Sequence, residues 1–300
     1  MKKKLKNFIL FFNGKEGTSA LIHLLNNFEE VSIVHQEENR GWEPFDTHSC
    51  GLIKPNDIKE CLDILFDSDD LVNDWSRLNQ IYKKTARAPL DNNILKRNAI
   101  GFKMRFYDPR GKYRLFSSFI CFYRNYYTMR ENLKYNSMMM EVLQKENMVV
   151  FMMVRLDVFR WALSKYHGDG TGKKGNLQFK LAKGTKKKEE IPKINVDVNK
   201  FKKILEDCKY LINRKKKLYQ KLKTKNIQVH PIFYEDFCND KVSCFQRFFE
   251  SLGYTMSEKL IIKVLNKGAY FKKVHSNDIS DFVINHEEIN DLFGHEKMIW

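Results

Sequence analysis

Four short segments of the chain have the mostly apolar pattern of β-strands that are buried on both faces. Aromatic and β-branched residues are frequent in them, and they cover residues 8–12, 100–106, 148–154 and 227–233. A weaker candidate covers residues 31–35. Strands of this kind are typical of a parallel sheet with helices on both sides. The pattern therefore predicts a buried sheet as the centre of the fold.

Segments with helical periodicity separate these strands, at residues 19–26, 201–222 and 243–252. The third segment stops at Gly253, a residue type that often ends helices. Strands that alternate with helices predict an α/β fold, in which a parallel sheet is flanked by helices within a single domain covering residues 1–300. The longest helical segment has lysines on one side and an apolar stripe on the other, formed by Phe201, Ile204, Leu205, Cys208, Leu211, Ile212, Leu218 and Leu222.

Two regions have a less regular pattern. Residues 39–98 are polar and mixed, with short helices expected near 58–66 and 71–82. Residues 168–195 are rich in glycine and lysine, a composition typical of loops. We expect these two regions to be acceptor-side or mobile insertions in the domain.

The net charge of +16 favours an anionic partner, such as a phosphate-rich cofactor, an acidic glycan, nucleic acid or a membrane surface. Lysine clusters at 186–188 and 215–217 contribute to this charge, and we interpret them as solvated faces. The sequence has no aromatic-glycine RNA-binding signature and no helix-turn-helix spacing, so we do not expect a nucleic-acid partner. It also has no apolar stretch long enough to span a membrane.

The cysteines and the N-terminal sequence bear on the compartment. The six cysteines form no CxxC pair and have no histidine at zinc spacing, so we expect a reducing compartment and no bound metal. The sequence MKKKLKNFILFF resembles a signal peptide, but its apolar run is short and no small-residue cleavage site follows. We therefore expect a cytoplasmic protein whose first apolar run is a strand.

The segment after the first strand has the pattern of an anion-binding loop. A strand, a glycine-containing turn and a helix together offer unpaired first-turn N–H groups and the positive end of the helix dipole. Gly14 and Gly17 allow a close backbone approach, Thr18 and Ser19 add hydroxyl donors, and Lys15 adds a charge. In an ATP-binding P-loop the lysine follows the last glycine, whereas Lys15 precedes Gly17. The loop can therefore bind an oxyanion, but Lys15 would point at a different atom from the one that the lysine of an ATP-binding P-loop contacts.

A second candidate segment follows the strand at 148–154. Arg155 lies at the carboxyl end of that strand, the edge where open α/β sheets bind ligands. Asp157 is the predicted N-cap of the next helix, and Ser164 lies about two turns further on. Guanidinium pairs bidentately with phosphate, so Arg155 and a hydroxyl suit a phosphate monoester.

These segments together resemble the sulfotransferases that use 3′-phosphoadenosine 5′-phosphosulfate (PAPS). GKEGTSALIHLL is similar to their 5′-phosphosulfate loop, and VVFMMVRLDVFRWALSKY to their 3′-phosphate segment. IGFKMRF, IFYEDFCNDKVSCFQRFFESLGY and KKVHSNDISDFVINHEEI resemble an internal strand, a late strand-and-helix unit and the C-terminal stretch. The matches fall in the family's order across residues 8–290. The chain departs from the family in two places. Leu156-Asp157 follows Arg155 where the family commonly has Asp-Pro or Asn-Pro, and Arg155 and Ser164 are one residue further apart than in the best-known members.

The resemblance implies a P-loop NTPase-like sulfotransferase fold, PAPS as the donor, no metal and a role for each matched residue. Lys15 would be the catalytic lysine that stabilises the leaving oxygen. The 5′-phosphosulfate would lie on the loop, and the 3′-phosphate would meet Arg155 and Ser164. Lys272 and Lys273 would approach the donor phosphates. The loop residues concerned are Gly14, Lys15, Glu16, Gly17, Thr18 and Ser19.

The acceptor needs a base, and the segment VHQEEN offers three candidates. The resemblance favours Glu37, and His35 and Glu38 are the alternatives. The acceptor is a hydroxyl or an amine, on a glycan or a small molecule, and its identity stays open, as does the oligomeric state. Two other functions also stay open. They are a P-loop kinase-type phosphotransferase and a non-enzymatic protein that binds polyanions.

Overall fold

The centre of the protein is a five-stranded sheet in which all neighbouring strands are parallel. A computed structural model describes residues 5–14, 16–34, 55–68, 70–83, 99–105, 140–145, 148–170, 193–267 and 278–300. The strand order is β2-β3-β1-β4-β5. The strands are β1 (Asn7–Phe12), β2 (Val31–Ile33), β3 (Ala99–Arg105), β4 (Met148–Val154) and β5 (Val229–Phe233). The predicted α/β class with a parallel sheet is confirmed.

Helices surround this sheet and connect its strands. A short 3-10 helix covers Ile279–Asp281. The α-helices described are α1 (Thr18–Leu25), α2 (Pro55–Asp67), α3 (Leu71–Lys83), α4 (Val158–Gly170), α5 (Val198–Thr224), α6 (Tyr234–Asn239), α7 (Lys241–Ser251), α8 (Glu258–Asn266) and α9 (His286–Phe293). None of the helices in the described ranges is long and apolar enough to cross a membrane.

Alternate residues of β1 and β4 enter two separate apolar clusters. Ile9 and Phe11 of β1 pack in the cluster that includes α2, α3 and the C-terminal end of α5. Phe8 and Leu10 pack in the cluster with α1, α7 and α8. Because successive strand residues point to opposite faces, this division shows that helices cover both faces of the sheet. A third cluster joins α4, α5 and the C-terminal segment.

The two less regular regions contribute to regular elements where the structure describes them. Helices α2 and α3 supply buried side chains such as Leu62, Phe66 and Tyr82, so residues 55–83 build one layer of the core. Residues 168–170, expected to begin the glycine-rich loop, are instead the last residues of α4. The rest of both regions, apart from 193–195, lies outside the described residues.

The fifth strand begins two residues later than the sequence predicts. The amide of Ile227 donates to the carbonyl of Leu222, which closes the end of α5, and Asn226 adopts a left-handed φ of 56°. Residues 226 and 227 are therefore part of a helix termination, because its last carbonyls need such donors. The weaker candidate at 31–35 forms a strand over Val31–Ile33. Val34 still donates to Gly101 O at 2.7 Å.

Candidate anion-binding site

The anion loop and the Arg155 segment leave neighbouring strands at the same edge of the sheet. Strands β1 and β4 are paired in parallel, with Phe11 opposite Met152. Residues 13–17 follow β1, and Arg155 follows β4. Because parallel strands end at the same edge, the two segments that the sequence separates by about 140 positions lie side by side. This edge is the candidate site.

Trp161 of α4 links the two segments directly. Its indole N–H donates to the carbonyl of Gly14 at 2.9 Å, and its ring is fully buried. Lys165 lies one turn further along α4, with its Nζ 4.6 Å from the centre of that ring. The helix after Arg155 therefore holds the first glycine of the loop and places a further cation beside it.

Gly17 is the N-cap of α1 and has a left-handed backbone, with φ at 81°. A side chain at this position would collide with Tyr234, because a Cβ would lie 2.4 Å and 2.6 Å from two carbons of the ring. Thr18 is buried and Ser19 is exposed, and both precede Ala20, whose amide donates to Gly17 O. Glycine is thus required both for the turn and for the close contact with Tyr234.

Tyr234, the first residue of α6, lies between the loop and Arg155. The Arg155 guanidinium carbon is 4.4 Å from the centre of the Tyr234 ring, a cation–π distance. Burial raises the pKa of the Tyr234 hydroxyl to about 12, although Arg155 favours the ionised form. The ring therefore stays neutral near pH 7 and does not cancel the positive charge of Arg155.

The turn after Arg155 is held by two carboxylates. The amide of Asp157 donates to Glu235 Oε1 at 2.9 Å. The Asp157 carboxylate accepts from the amide of Arg160 at 2.8 Å, which confirms the predicted N-cap of α4. Glu235 follows Tyr234 in α6, so this short helix contacts both the arginine and the turn that carries it.

Glu16 and Lys215 form an ion pair beneath the loop, and neither side chain is exposed. Lys215 Nζ lies 2.7 Å from Oε1 and 2.6 Å from Oε2 of Glu16, and it also donates to the carbonyl of Met153 in β4. Glu16 Oε2 accepts from the amide of Asn13 at 2.5 Å. Burial raises the pKa of Glu16 and lowers the pKa of Lys215, while each charge stabilises the other. The close double contact fits a charged pair.

The structure brings most of the described candidate residues to this edge. Ser164 is half-buried on α4, between Trp161 and Lys165. Glu16 is fully buried, with its side chain directed into the core, so it offers no exposed atom to a ligand. Lys15, His35, Glu37, Glu38, Lys272 and Lys273 lie outside the described residues, and their assigned roles remain predictions. The candidates at the edge are Gly14, Glu16, Gly17, Thr18, Ser19 and Arg155, whereas Ser164 lies further along α4.

Four residues at the site were missed from the sequence, namely Trp161, Lys165, Lys215 and Tyr234. The interpretation of residues 215–217 as a solvated face is confirmed for the exposed Lys216 and Lys217 and is wrong for Lys215, which is buried. A signal was present, because Lys215 falls on the apolar stripe of its helix, four residues after Leu211 and seven before Leu222. No comparable signal marked Tyr234.

Comparisons with known proteins give little further information. No family model and no curated protein matches the chain. Among solved structures, the chain is similar to the crystal structure of the sulfotransferase STF9 from Mycobacterium avium, with a TM-score of 0.39 and 8% identity. That match covers 97% of this chain and 76% of the other. A likeness at this TM-score carries no argument about function, so the proposal below depends on the geometry and the sequence motifs.

Proposed function

We propose that the protein is a sulfotransferase that moves a sulfuryl group from PAPS to a hydroxyl or amine acceptor. The observation that supports this most is that Gly17 and Arg155 both lie against the Tyr234 ring. The anion loop and the arginine are thereby held as two positive regions of one site. A nucleotide with phosphates at both ends of its sugar fits such a pair, whereas a single phosphate would use only one of the two.

In the proposed complex, the 5′-phosphosulfate binds the first-turn N–H groups of α1 and the Ser19 hydroxyl. The amides of Thr18 and Ser19 come too early in α1 to have an acceptor four residues back within the helix, and the helix dipole adds positive charge. The 3′-phosphate binds Arg155, with Ser164 as a second donor. Tyr234 keeps the guanidinium in place through its ring, and Trp161 holds Gly14. These contacts hold Arg155 and the loop in place, which lowers the entropic cost of binding.

The proposed reaction is an in-line displacement at sulfur. The acceptor oxygen or nitrogen forms the new bond to sulfur as the bond from sulfur to the bridging oxygen breaks. The acceptor's proton passes to Glu37 or His35, and adenosine 3′,5′-bisphosphate (PAP) leaves. Lys15 stabilises the charge on the departing oxygen, so no metal is needed for this step. Removing one preorganised charge of this kind costs roughly 3–4 kcal/mol of barrier.

The first test is binding of PAP, measured by calorimetry and thermal denaturation without metal. A ligand at a hundred times its dissociation constant adds about 2.7 kcal/mol to the free energy of unfolding. ATP with magnesium is the comparison, since stabilisation by magnesium-ATP and not by PAP would favour a kinase-type phosphotransferase. Binding of neither nucleotide, together with binding of heparin, would favour a polyanion-binding protein.

Two variants separate binding from catalysis. Arg155→Met should weaken PAP binding at least about tenfold, because hydrogen bonds to charged groups contribute about 1.5–3 kcal/mol. Arg77→Met is the matched control, since Arg77 pairs with Glu60 on the surface at 2.7 Å. Lys15→Ala should retain most PAP binding and lose most transfer of labelled sulfate from PAPS to an acceptor library. Unchanged transfer in Lys15→Ala would exclude the role given to that lysine.

A further inference from the structure

We propose that Glu16 and Lys215 are a positioning pair that sets the anion affinity of the loop, with Lys215 cancelling the negative charge that Glu16 places beneath it. The inference rests on the proposed function only for the identity of the ligand. The pair acts through the loop and does not contact the reacting atoms. It explains why a carboxylate is present inside a segment that is otherwise suited to anions.

The pair joins three parts of the structure at one buried point, namely the loop, α5 and β4. Glu16 belongs to the loop, and its carboxylate accepts the amide of Asn13, the first residue after β1. Lys215 belongs to the middle of α5 and also donates to the carbonyl of Met153, two residues before Arg155. The contacts between Glu16 and Lys215 span 199 positions in the sequence. The pair thereby fixes the loop relative to the strand that carries Arg155.

The charge of Glu16 is the reason that Lys215 matters to a ligand. Glu16 immediately precedes Gly17, so an uncompensated carboxylate would repel any anion bound to the first turn of α1. Water screens the interaction little, because both side chains are fully buried. Besides Lys215, the groups that act on the charge of Glu16 are the amide of Asn13 and the ammonium of Lys165 on α4. Lys215 is the one in direct contact with both carboxylate oxygens.

Removal of Lys215 should make anion binding depend on pH. In Lys215→Met, burial of Glu16 is no longer opposed by its partner, so the carboxyl group stays protonated at low pH and ionises as the pH rises. Binding of PAP should therefore weaken as the pH increases. Because the phosphates of PAP also titrate, the quantity to compare is the ratio of the variant and wild-type dissociation constants at each pH. We expect this ratio to grow about tenfold or more between about pH 5.5 and pH 8.5.

The two single variants should differ in the sign of their effect. Glu16→Gln removes the negative charge and leaves Lys215 beneath the loop as a cation or, because burial lowers its pKa, as a neutral amine. In either form it does not repel an anion, so PAP affinity should stay equal to wild type or rise. Lys215→Met should lower it. The double variant Glu16→Gln/Lys215→Met has no buried charge, and its PAP affinity should lie within about threefold of wild type at every pH. Equal losses of affinity in both single variants would indicate a purely structural role and overturn the inference.

The control is Lys209→Met on the same helix, because Lys209 pairs with Glu296 at 2.8 Å away from the loop. The ratio of its PAP dissociation constant to that of the wild-type protein should remain near one at all pH values. If Lys215→Met does not fold, Lys215→Gln keeps a neutral donor for Glu16 and Met153, and it should show the same pH-dependent ratio. A flat ratio in the folded variant would also overturn the inference, even where wild-type protein binds PAP.

Inorganic phosphate serves as a second probe that separates the two proposals. If wild-type protein binds phosphate and not PAP, the proposed function fails, and the same variants titrated with phosphate still test the pair. If wild-type protein binds PAP and the variants behave as expected, both proposals stand. If wild-type protein binds neither probe, the loop is not an anion site and both proposals are wrong.

Discussion

The substitution Gly17→Ala tests the contact on which the proposed site depends. Gly17 has a left-handed φ of 81°, and an added Cβ would lie 2.4 Å from the nearest carbon of the Tyr234 ring. Gly253, which follows α7, has a similar φ of 86° and nothing within 4 Å of an added Cβ. Gly253→Ala is therefore a matched control, because both substitutions strain the backbone and only one of them collides with a neighbour.

The expected losses in the free energy of unfolding follow from the backbone strain, which both variants share, and from the collision with Tyr234, which only Gly17→Ala has. A left-handed alanine costs about 1–2 kcal/mol, and the smaller entropy of the unfolded chain returns about 0.4–1 kcal/mol. Gly253→Ala should thus destabilise the protein by about 0–1.6 kcal/mol. Gly17→Ala adds about 1–3 kcal/mol for overpacking and about 0.5–1 kcal/mol for the disturbed contact between Tyr234 and Arg155. The free energy of unfolding should therefore fall by about 1.5–4 kcal/mol more in Gly17→Ala.

Thermal denaturation with and without PAP measures both consequences. With an unfolding entropy of about 2.1 cal/mol/K per residue, 1 kcal/mol shifts the melting temperature of a 300-residue chain by about 1.6 °C. Gly17→Ala should therefore melt at least about 2 °C below Gly253→Ala. PAP binding should weaken in Gly17→Ala alone. In a Tyr234→Ala background the ring is absent, and the gap between the two glycine variants should close. Equal melting temperatures in the first comparison, or an unchanged gap in the second, would refute the reasoning.

Three further substitutions examine the elements around the site. Trp161→Phe keeps a ring and removes the donor to Gly14 O; we expect PAP binding to weaken about three- to tenfold, from the 0.5–1.5 kcal/mol of a typical hydrogen bond, and calorimetry measures it. Lys165→Met should weaken PAP binding about three- to tenfold and reduce its salt dependence, whereas no change at any ionic strength would show that Lys165 is remote from the ligand. Asp157→Ala should lower the free energy of unfolding by about 1 kcal/mol and also weaken PAP binding, because this cap orders the turn after Arg155. Asp197→Ala, which removes the equivalent cap of α5, should cost similar stability and leave PAP binding unchanged.

Most strands and helices, and the turn and the cap that precede two of the helices, could be predicted from the sequence. The strand over 148–154 was predicted with the bounds that the structure has, and the cap at Asp157 was correct. Both are local properties, because strand burial shows in a run of neighbouring side chains and a cap depends on residues three positions apart. The glycine turn before α1 was predicted for the same reason, since few other residues adopt its backbone.

The ends of helices and the burial of single polar residues were harder to predict from the sequence. The start of β5 was misplaced, because the closure of α5 uses Ile227 as a donor and competes with the strand for that residue. Lys215 was predicted to be solvent-exposed because lysines follow it in the sequence. Its position in the helical repeat, however, placed it on the buried side of α5. Its burial is tolerated because Glu16 lies opposite it, and no local pattern reports a partner from another part of the chain.

By itself, the sequence determined an α/β chain with a glycine-containing loop after its first strand and an arginine after a later one. The tertiary structure decided that β1 and β4 are neighbours, which places the loop beside Arg155. It also decided that Tyr234 contacts both Gly17 and that arginine and that Lys215 pairs with Glu16. The physical reason is that periodicity and turn chemistry act between adjacent residues, whereas strand order and buried charge pairing arise from contacts between distant segments.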